Sequence, residues 1–241
     1  MIKFLRSFAV VFLFAFFGVG ALVLRYCVFP FQKSASESRR TLQKSWKFFV
    51  KLLVKFRLIK LEIEDLEKIS GIKNSIIVST HPSFIDIVIL MSIIPNSTCF
   101  VAEKLAKNPF FKGIVDLLFI LETPSIEDWL NASRKKLDEG LNLIIFPMGV
   151  RHKKTEYPKI RRGTALIAQK SKKDIVLLRL ETDFDFLQIN QPIYEAGSRA
   201  IKYSLDYLGK IEVEKRLELH PDEVEFKTAV TKEISEILYK S

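Results

Sequence analysis

The chain has 241 residues, 48% of them hydrophobic, and a formal net charge of +10, which allows one domain with a sizeable core plus an appendage. Residues 1–60 hold twelve Lys or Arg against a single acid, Glu37, so they carry +11 and the rest of the chain carries −1. A nucleic-acid-binding protein should place its basic residues on the folded domain, so this distribution argues against nucleic acid and favours an anionic membrane surface.

The first predicted element is an apolar helix near the N-terminus. Residues 8–24 carry no charge over seventeen positions, which is at the short limit for crossing a bilayer. The positive-inside rule predicts that the rest of the chain lies on the cytoplasmic face of the inner membrane. The basic residues that follow the apolar run are Arg25, Lys33, Arg39, Arg40 and Lys44. A cleaved signal peptide is the alternative, because Val19-Gly20-Ala21 is an acceptable cleavage site.

The second predicted element is an amphipathic helix. Five cations fall within about 80° of helical arc, and apolar side chains occupy the other side. These cations are Arg40, Lys44, Lys47, Lys51 and Lys55. One interpretation places the helix in the membrane interface, and the other packs it against the domain with its charges in water. We therefore predict a membrane anchor over residues 1–58 and a globular domain over residues 59–241.

From residue 57 onward, predicted strands alternate with predicted helices. This alternation predicts an α/β domain with a central, mostly parallel sheet flanked by helices. Strands are expected at 57–64, 75–79, 98–102, 118–122, 142–146, 174–180 and 201–214, the last being one strand or two joined at Gly209. Helices are expected at 83–93, 109–116, 125–139, 160–170 and 221–239. Ligands of such sheets bind where strands lead into loops, so polar residues there are candidates for a site.

One strand end carries a histidine and an aspartate. His81 follows the apolar run 76–78, and Asp86 lies five residues further on. On one continuous helix these side chains would point roughly 140° apart. A pairing therefore needs a bend, which Pro82 favours as the first residue of a helix. The spacing predicts a general base, His81, oriented by an acidic side chain, Asp86.

Two further blocks follow in a fixed order. Residues 108–113 read Asn-Pro-Phe-Phe-Lys-Gly, and residues 144–151 read Ile-Ile-Phe-Pro-Met-Gly-Val-Arg. Together with His81 and Asp86 they resemble the glycerolipid acyltransferase family, which includes the 1-acylglycerol-3-phosphate O-acyltransferases. That family carries the motifs H-x4-D, P-F-x-x-G and F-P-E-G-T-R. The resemblance covers about residues 60–180 and implies that residues 59–241 form an acyltransferase domain.

The resemblance implies transfer of a fatty acyl group from acyl carrier protein or coenzyme A to a lipid hydroxyl, most simply that of 1-acylglycerol-3-phosphate. His81 would take the hydroxyl proton while Asp86 fixes the imidazole. Cations that stay charged at neutral pH would hold the phosphate, and a glycine amide would face the oxyanion or simply make the turn. The implied substrate-binding residues are Lys104, Gly149, Arg151 and, in second rank, Arg162.

The expected partners are the lipid bilayer, the thioester donor and a lysophospholipid or related lipid acceptor, without nucleic acid. No metal site is expected, because the three histidines are scattered and the two cysteines lack the spacing of metal ligands. No cofactor is expected either, since the acyl thioester is a substrate.

The chain departs from its family at two positions. Met148 and Val150 stand where the family motif has Glu and Thr, so a carboxylate and a hydroxyl become apolar. One hypothesis is an altered pocket, for 1-acylglycerol-3-phosphate or for a glycolipid or aryl-polyene-type lipid. The other is a catalytically silent membrane protein that binds lipid.

Overall fold

The structure is a computed structural model. It describes residues 2–81, 83, 85–103, 107, 112–148, 160–184, 192 and 197–240.

Two long helices come first. Helix α1 (Ile2–Val23) contains the apolar segment, and a π-helical turn (Leu24–Val28) and a 3-10 turn (Phe29–Phe31) lead towards α2 (Ala35–Lys55). The stretch Lys3–Phe31 is long and apolar enough to cross a membrane, and most of its apolar part is not buried against the domain. Length and composition thus agree with membrane association.

A seven-stranded sheet forms the centre of the described chain. The strands are β1 (Ile59–Ile63), β2 (Ile76–Ser79), β3 (Ser97–Val101), β4 (Ile120–Leu121), β5 (Asn142–Ile145), β6 (Ile175–Thr182) and β7 (Ile201–Ile211). Their order is β1-β7-β6-β2-β5-β3-β4. Every pair is parallel except β6 and β7. The predicted α/β fold with a mostly parallel sheet is confirmed.

The remaining helices cover both faces of this sheet. They are α3 (Leu66–Ser70), α4 (Asp86–Ile93), α5 (Lys112–Leu118), α6 (Ile126–Asp138), α7 (Gly163–Ser171), α8 (Val213–Leu219) and α9 (Glu223–Lys240). We call the face covered by α1, α2, α4 and α5 the front face, and the face covered by α6 to α9 the back face. Neighbouring strand residues alternate between them, as Ile77 packs at the front and Ile76 and Val78 at the back.

The last strand, predicted as either one strand or two joined at Gly209, is a single strand. Residues 201–211 form one continuous strand, and the chain then enters α8, which the sequence pattern did not predict. The predicted joint, Gly209, has φ +145° and lies opposite Leu177 at an irregularity of the β6–β7 register. A glycine accepts this backbone conformation, so the strand bends there without ending.

Helix α2 is packed against the domain. Its apolar side chains, among them Leu42, Trp46 and Leu53, are buried at the front face. Its five cations of the basic arc are exposed. The helix thus packs against the domain with its charges in water, as the second interpretation predicted. Its charged side remains accessible to an anionic membrane surface. The division of the chain at residues 58 and 59 stays a prediction.

The N-terminal end of α1 is tied to the same domain. The Arg6 guanidinium donates hydrogen bonds to the carbonyls of Arg57 (2.7 Å), Leu58 (3.2 Å) and Arg199 (2.6 Å). Further along, the Phe17 ring of α1 stacks on Phe49 of α2 with 4.4 Å between centroids. Helix α1 therefore lies along the front face over much of its length.

Candidate active site

The site begins where β2 ends in the middle of the sheet. Thr80 is buried, and its hydroxyl donates to the carbonyl of Leu180 (2.6 Å) and accepts from the amide of the same residue (2.8 Å). This side chain extends the pairing of β2 with β6 by one residue. The next residue, His81, is thus held at the carboxyl end of a central strand, where ligands of α/β sheets bind.

His81 and Asp86 meet, as their spacing predicted. His81 Nδ1 lies 3.0 Å from Asp86 Oδ2, and the His81 side chain is 18% exposed whereas that of Asp86 is fully buried. Helix α4 starts at Asp86 and not at the predicted residue 83. The bend that the pairing requires therefore includes Ser83, which precedes the helix.

Ser83 gives Asp86 two further hydrogen-bond donors. Its amide lies 2.6 Å from Oδ2, and its hydroxyl lies 2.6 Å from Oδ1. Three donors thus surround the buried carboxylate, which a buried charge requires. The sequence argument considered Ser83 only as a nucleophile without a suitable motif, and its contact with Asp86 gives it a different place in the site.

Two aromatic side chains complete the described site, and sequence reasoning found neither. The Phe146 ring, directly after β5, stacks on the His81 imidazole with 4.0 Å between centroids and 15° between planes. The Tyr203 hydroxyl, from β7, lies 3.0 Å from the Ser83 hydroxyl. Phe146 carried a weak signal, because it belongs to the third motif block. Tyr203 is 120 residues from Ser83 and carried none.

The other predicted site residues divide into two groups. Lys104, Gly149 and Arg151 lie outside the described residues, so their roles stay predictions. Arg162 is exposed and directly precedes α7. It lines an open groove of about 340 Å³ together with Trp129 on α6 and other side chains of the back face. The structure therefore places Arg162 with back-face helices, whereas α4 carries Asp86 on the front face.

Met148 follows Phe146 in the turn after β5 and is buried, with 3% of its surface exposed. An apolar side chain suits that environment, and a carboxylate there would need partners. No group of three His, Cys, Asp or Glu side chains suited to a metal ion occurs among the described residues. The expectation that the protein uses no metal or cofactor stays a prediction.

The protein is thus an α/β protein with a histidine–carboxylate pair at the end of a central parallel strand. Residues 60–180 match the family model described as Acyltransferase. This match covers half of the chain, and the protein belongs to the acyltransferase family.

Two relatives give the comparison more detail. A 1-acyl-sn-glycerol-3-phosphate acyltransferase of Helicobacter pylori (strain J99) is 34% identical over 115 residues, covering 44% of this chain and 48% of that protein. The chain thus spans about half the length of this curated relative. The crystal structure of the 1-acyl-sn-glycerophosphate (LPA) acyltransferase PlsC from Thermotoga maritima matches with a TM-score of 0.73 at 17% identity, over 96% of this chain and 92% of that one. At that identity the likeness shows a common fold.

Proposed function

We propose that this protein is a membrane-associated O-acyltransferase. It transfers a fatty acyl group from acyl carrier protein or coenzyme A to a lipid hydroxyl, most simply that of 1-acylglycerol-3-phosphate. The observation that carries the proposal is the pairing of His81 with the buried Asp86, 3.0 Å apart at the end of β2. The names of the H. pylori and T. maritima proteins support the choice of acceptor.

His81 is the general base of this reaction. The ionised Asp86 carboxylate can only accept, so it takes the hydrogen bond from Nδ1–H and leaves the lone pair of Nε2 for the acceptor. As the acceptor oxygen attacks the thioester carbonyl carbon, Nε2 takes the hydroxyl proton, and Asp86 stabilises the resulting imidazolium. The tetrahedral intermediate then expels the thiolate, which recovers the proton from Nε2. The products are an ester and a free thiol.

The reaction needs no covalent enzyme intermediate, because a thioester already has a good leaving group. Ser83 supports this reading, since its hydroxyl donates to Asp86 at 2.6 Å and accepts from a second hydroxyl, and it is buried. A nucleophile needs access to the thioester as well as a neighbouring base, and the buried Ser83 has no such access. The hydroxyl of Ser83 therefore has a supporting place.

The phosphate of the acceptor is assigned to cations through the family resemblance. Lys104 and Arg151 are the first candidates, and Gly149 would supply an amide for the oxyanion. Arg162 is the weaker candidate, because it lines the groove at the back-face helices. A glycolipid or aryl-polyene-type acceptor stays an alternative, motivated by the apolar Met148.

Helix α1 supplies the contact with the membrane in this proposal. Phe8, Phe12 and Phe16 form a stripe on its outer side and are 63%, 57% and 48% exposed. The inner side is packed on the domain, and Arg6 ties the N-terminal end to it. Both ends of such a helix stay on the side of the domain, so α1 lies along one leaflet on the cytoplasmic face. Cleavage after Ala21 would remove this packing, which favours the retained helix over a signal peptide.

Acyl-transfer assays test the proposal. The full-length protein in vesicles of phosphatidylethanolamine and phosphatidylglycerol is given acyl carrier protein or coenzyme A thioesters with 1-acylglycerol-3-phosphate, a glycolipid or an aryl-polyene-type lipid. We expect acylation of 1-acylglycerol-3-phosphate, and a loss on the order of 10²- to 10⁴-fold in kcat for His81→Ala. His220→Ala is the matched control, because His220 follows α8 and takes no part in the site.

Each outcome has a definite meaning. Full activity in His81→Ala would refute the general-base mechanism. Turnover of the glycolipid or polyene lipid alone would retain the base and change the acceptor. A wild-type protein that binds these vesicles but acylates none of the three lipids would favour the silent lipid-binding protein.

A further inference from the structure

We propose that Tyr203 and Ser83 are positioning residues that fix the Asp86 carboxylate for its contact with His81, through the hydrogen-bond sequence Tyr203 to Ser83 to Asp86. The inference rests on the proposed function, because it concerns how the general base is held. It adds to the site a residue of β7, beyond residues 60–180 that match the family model.

The direction of each hydrogen bond follows from chemistry. An ionised carboxylate only accepts, so the Ser83 hydroxyl uses its proton for Asp86 Oδ1 at 2.6 Å. The bond of 3.0 Å between the Ser83 and Tyr203 oxygens then requires the proton of Tyr203. Tyr203 therefore donates to Ser83, and Ser83 donates to Asp86. A hydroxyl that accepts a hydrogen bond becomes a better donor, so the outer bond strengthens the inner one.

The two hydroxyls are well suited to a fixed network. Ser83 and Tyr203 are fully buried, so water does not compete for their hydrogen bonds. Burial, and after it the charge of Asp86, raises the pKa of Tyr203 far above its ordinary value, so the phenol keeps its proton as a donor. The aromatic ring is held by the core of the front face.

The sheet explains why β7 can reach this site. Tyr203 lies opposite Thr182 of β6 in the antiparallel pair and opposite Leu61 of β1 in the parallel pair. Its position is therefore set by strands on both sides. With Oδ1 held by Ser83, the carboxylate of Asp86 cannot rotate freely, and Oδ2 stays directed at His81 Nδ1. The geometry of the general base thus depends on a strand that carries no motif residue.

The experiment begins with Tyr203→Phe, which removes one oxygen from a buried ring and keeps the ring. We expect kcat for acyl transfer to fall about 10-fold, which is typical of residues that orient a functional side chain without touching the substrate themselves. KM should stay within about twofold of the wild-type value, because neither Tyr203 nor Ser83 contacts the substrate in this proposal. Tyr207→Phe is the matched control, since it removes a phenol hydroxyl from the same strand outside this network, and its kcat should stay unchanged.

Two further measurements separate positioning from folding. In an Asp86→Asn background, Tyr203→Phe should lower the residual kcat by less than twofold, because its effect passes through the carboxylate. Nitrogen-15 NMR of the His81 imidazole should show the Nδ1–H tautomer in the wild type and a reduced share of it in Tyr203→Phe. Ser83→Ala should change the same spectrum in the same direction, even where it also lowers stability.

The outcomes distinguish this inference from the proposed function. If His81→Ala loses activity while Tyr203→Phe keeps both the kcat and the NMR spectrum of the wild type, the positioning role is wrong and the general base stands. If Tyr203→Phe lowers kcat equally with and without Asp86, its effect is structural and the inference is again wrong. If His81→Ala keeps full activity, the proposed mechanism itself fails.

Discussion

The front and back faces of the sheet are covered in different ways. Nineteen large apolar side chains are exposed among the described residues, and thirteen of them lie between Phe4 and Phe56, on α1, α2 and the segments beside them. The back-face helices expose ion pairs instead, such as Arg134 with Asp138 on α6 and Lys170 of α7 with Glu223 of α9. The front face also holds His81, Asp86 and Tyr203.

This contrast indicates that the two faces of the sheet meet different environments, the front face a membrane and the back face water. A large exposed apolar surface next to basic residues is typical of a membrane contact, whereas scattered ion pairs are typical of a surface in water. The paired His81 and Asp86 lie at a strand end on the apolar side. A lipid acceptor could therefore reach the base from the membrane, while the back face mainly supports the sheet.

Among the variants that test this contrast between the two faces, the largest effect is expected from the apolar stripe of α1. Replacing Phe8, Phe12 and Phe16 together by Ser removes three exposed rings and leaves the buried side of the helix intact. Each ring buried in lipid contributes about 1.5–3 kcal/mol, so binding to vesicles of phosphatidylethanolamine and phosphatidylglycerol should weaken by at least about 10³-fold. Flotation of the full-length variant with these vesicles measures the change.

The back face offers a matched control for this experiment. Ile126, Leu219 and Val224 are 66%, 64% and 59% exposed, and their joint replacement by Ser should leave flotation unchanged. If the α1 variant floats as the wild type does, the front face is not the membrane contact. If both variants detach, the two faces do not differ in the way proposed.

The second expected effect concerns acceptor choice at Met148, in the turn after β5. If Met148 and Val150 reshape the acceptor pocket, restoring the family pair, Met148→Glu with Val150→Thr, should raise kcat/KM on 1-acylglycerol-3-phosphate relative to the native acceptor by at least about 10²-fold, because a site that hydrogen-bonds its substrate discriminates more strongly than an apolar one. Met148→Gln is the control of similar size without charge. Met148 is 3% exposed, so an unpaired Glu would destabilise the fold or take up a proton.

The result decides between the two hypotheses for Met148. A restored variant that folds, keeps the native activity and gains nothing on 1-acylglycerol-3-phosphate would contradict the altered pocket. Activity in the restored variant alone, with an inactive wild type, would point to a silent lipid-binding protein.

The smallest effect is expected from the basic arc of α2. Replacing Lys47 and Lys51 by Gln should weaken vesicle binding by about 2 kcal/mol, or roughly 30-fold, since each cation near an anionic surface contributes about 1 kcal/mol. The loss should shrink as salt is added or phosphatidylglycerol is omitted. Lys135 and Lys232 of the back face are exposed, and their replacement should have little effect at any salt concentration.

The sequence determined the fold class through alternation alone. Short apolar runs separated by amphipathic segments require a sheet with helices on its faces, and the structure has that sheet. It missed α8, a helix of only seven residues whose first two positions were assigned to the end of the predicted strand 201–214. Short segments give too few periods to separate a helix from a strand.

In the candidate site, too, only contacts between residues close in sequence could be predicted. His81 and Asp86 were found because five residues separate them, and any bend at that spacing brings them together. Arg162 was a second-rank candidate for substrate binding, and that role stays a prediction, whereas its place beside Trp129 at the back-face helices was decided by packing. Sequence distance contains no information about which face a helix will cover.

Tyr203 shows what only the tertiary structure decides. Its hydroxyl reaches Ser83 because β7 lies between β1 and β6, parallel to β1 and antiparallel to β6, which brings together residues 120 positions apart. Local patterns determine strands, helices and short-range pairs such as His81 with Asp86, because the forces that form them act within a few residues. Strand order is set by the packing of the whole core, and the contact of Tyr203 with Ser83 beside the Asp86 carboxylate depends on that order.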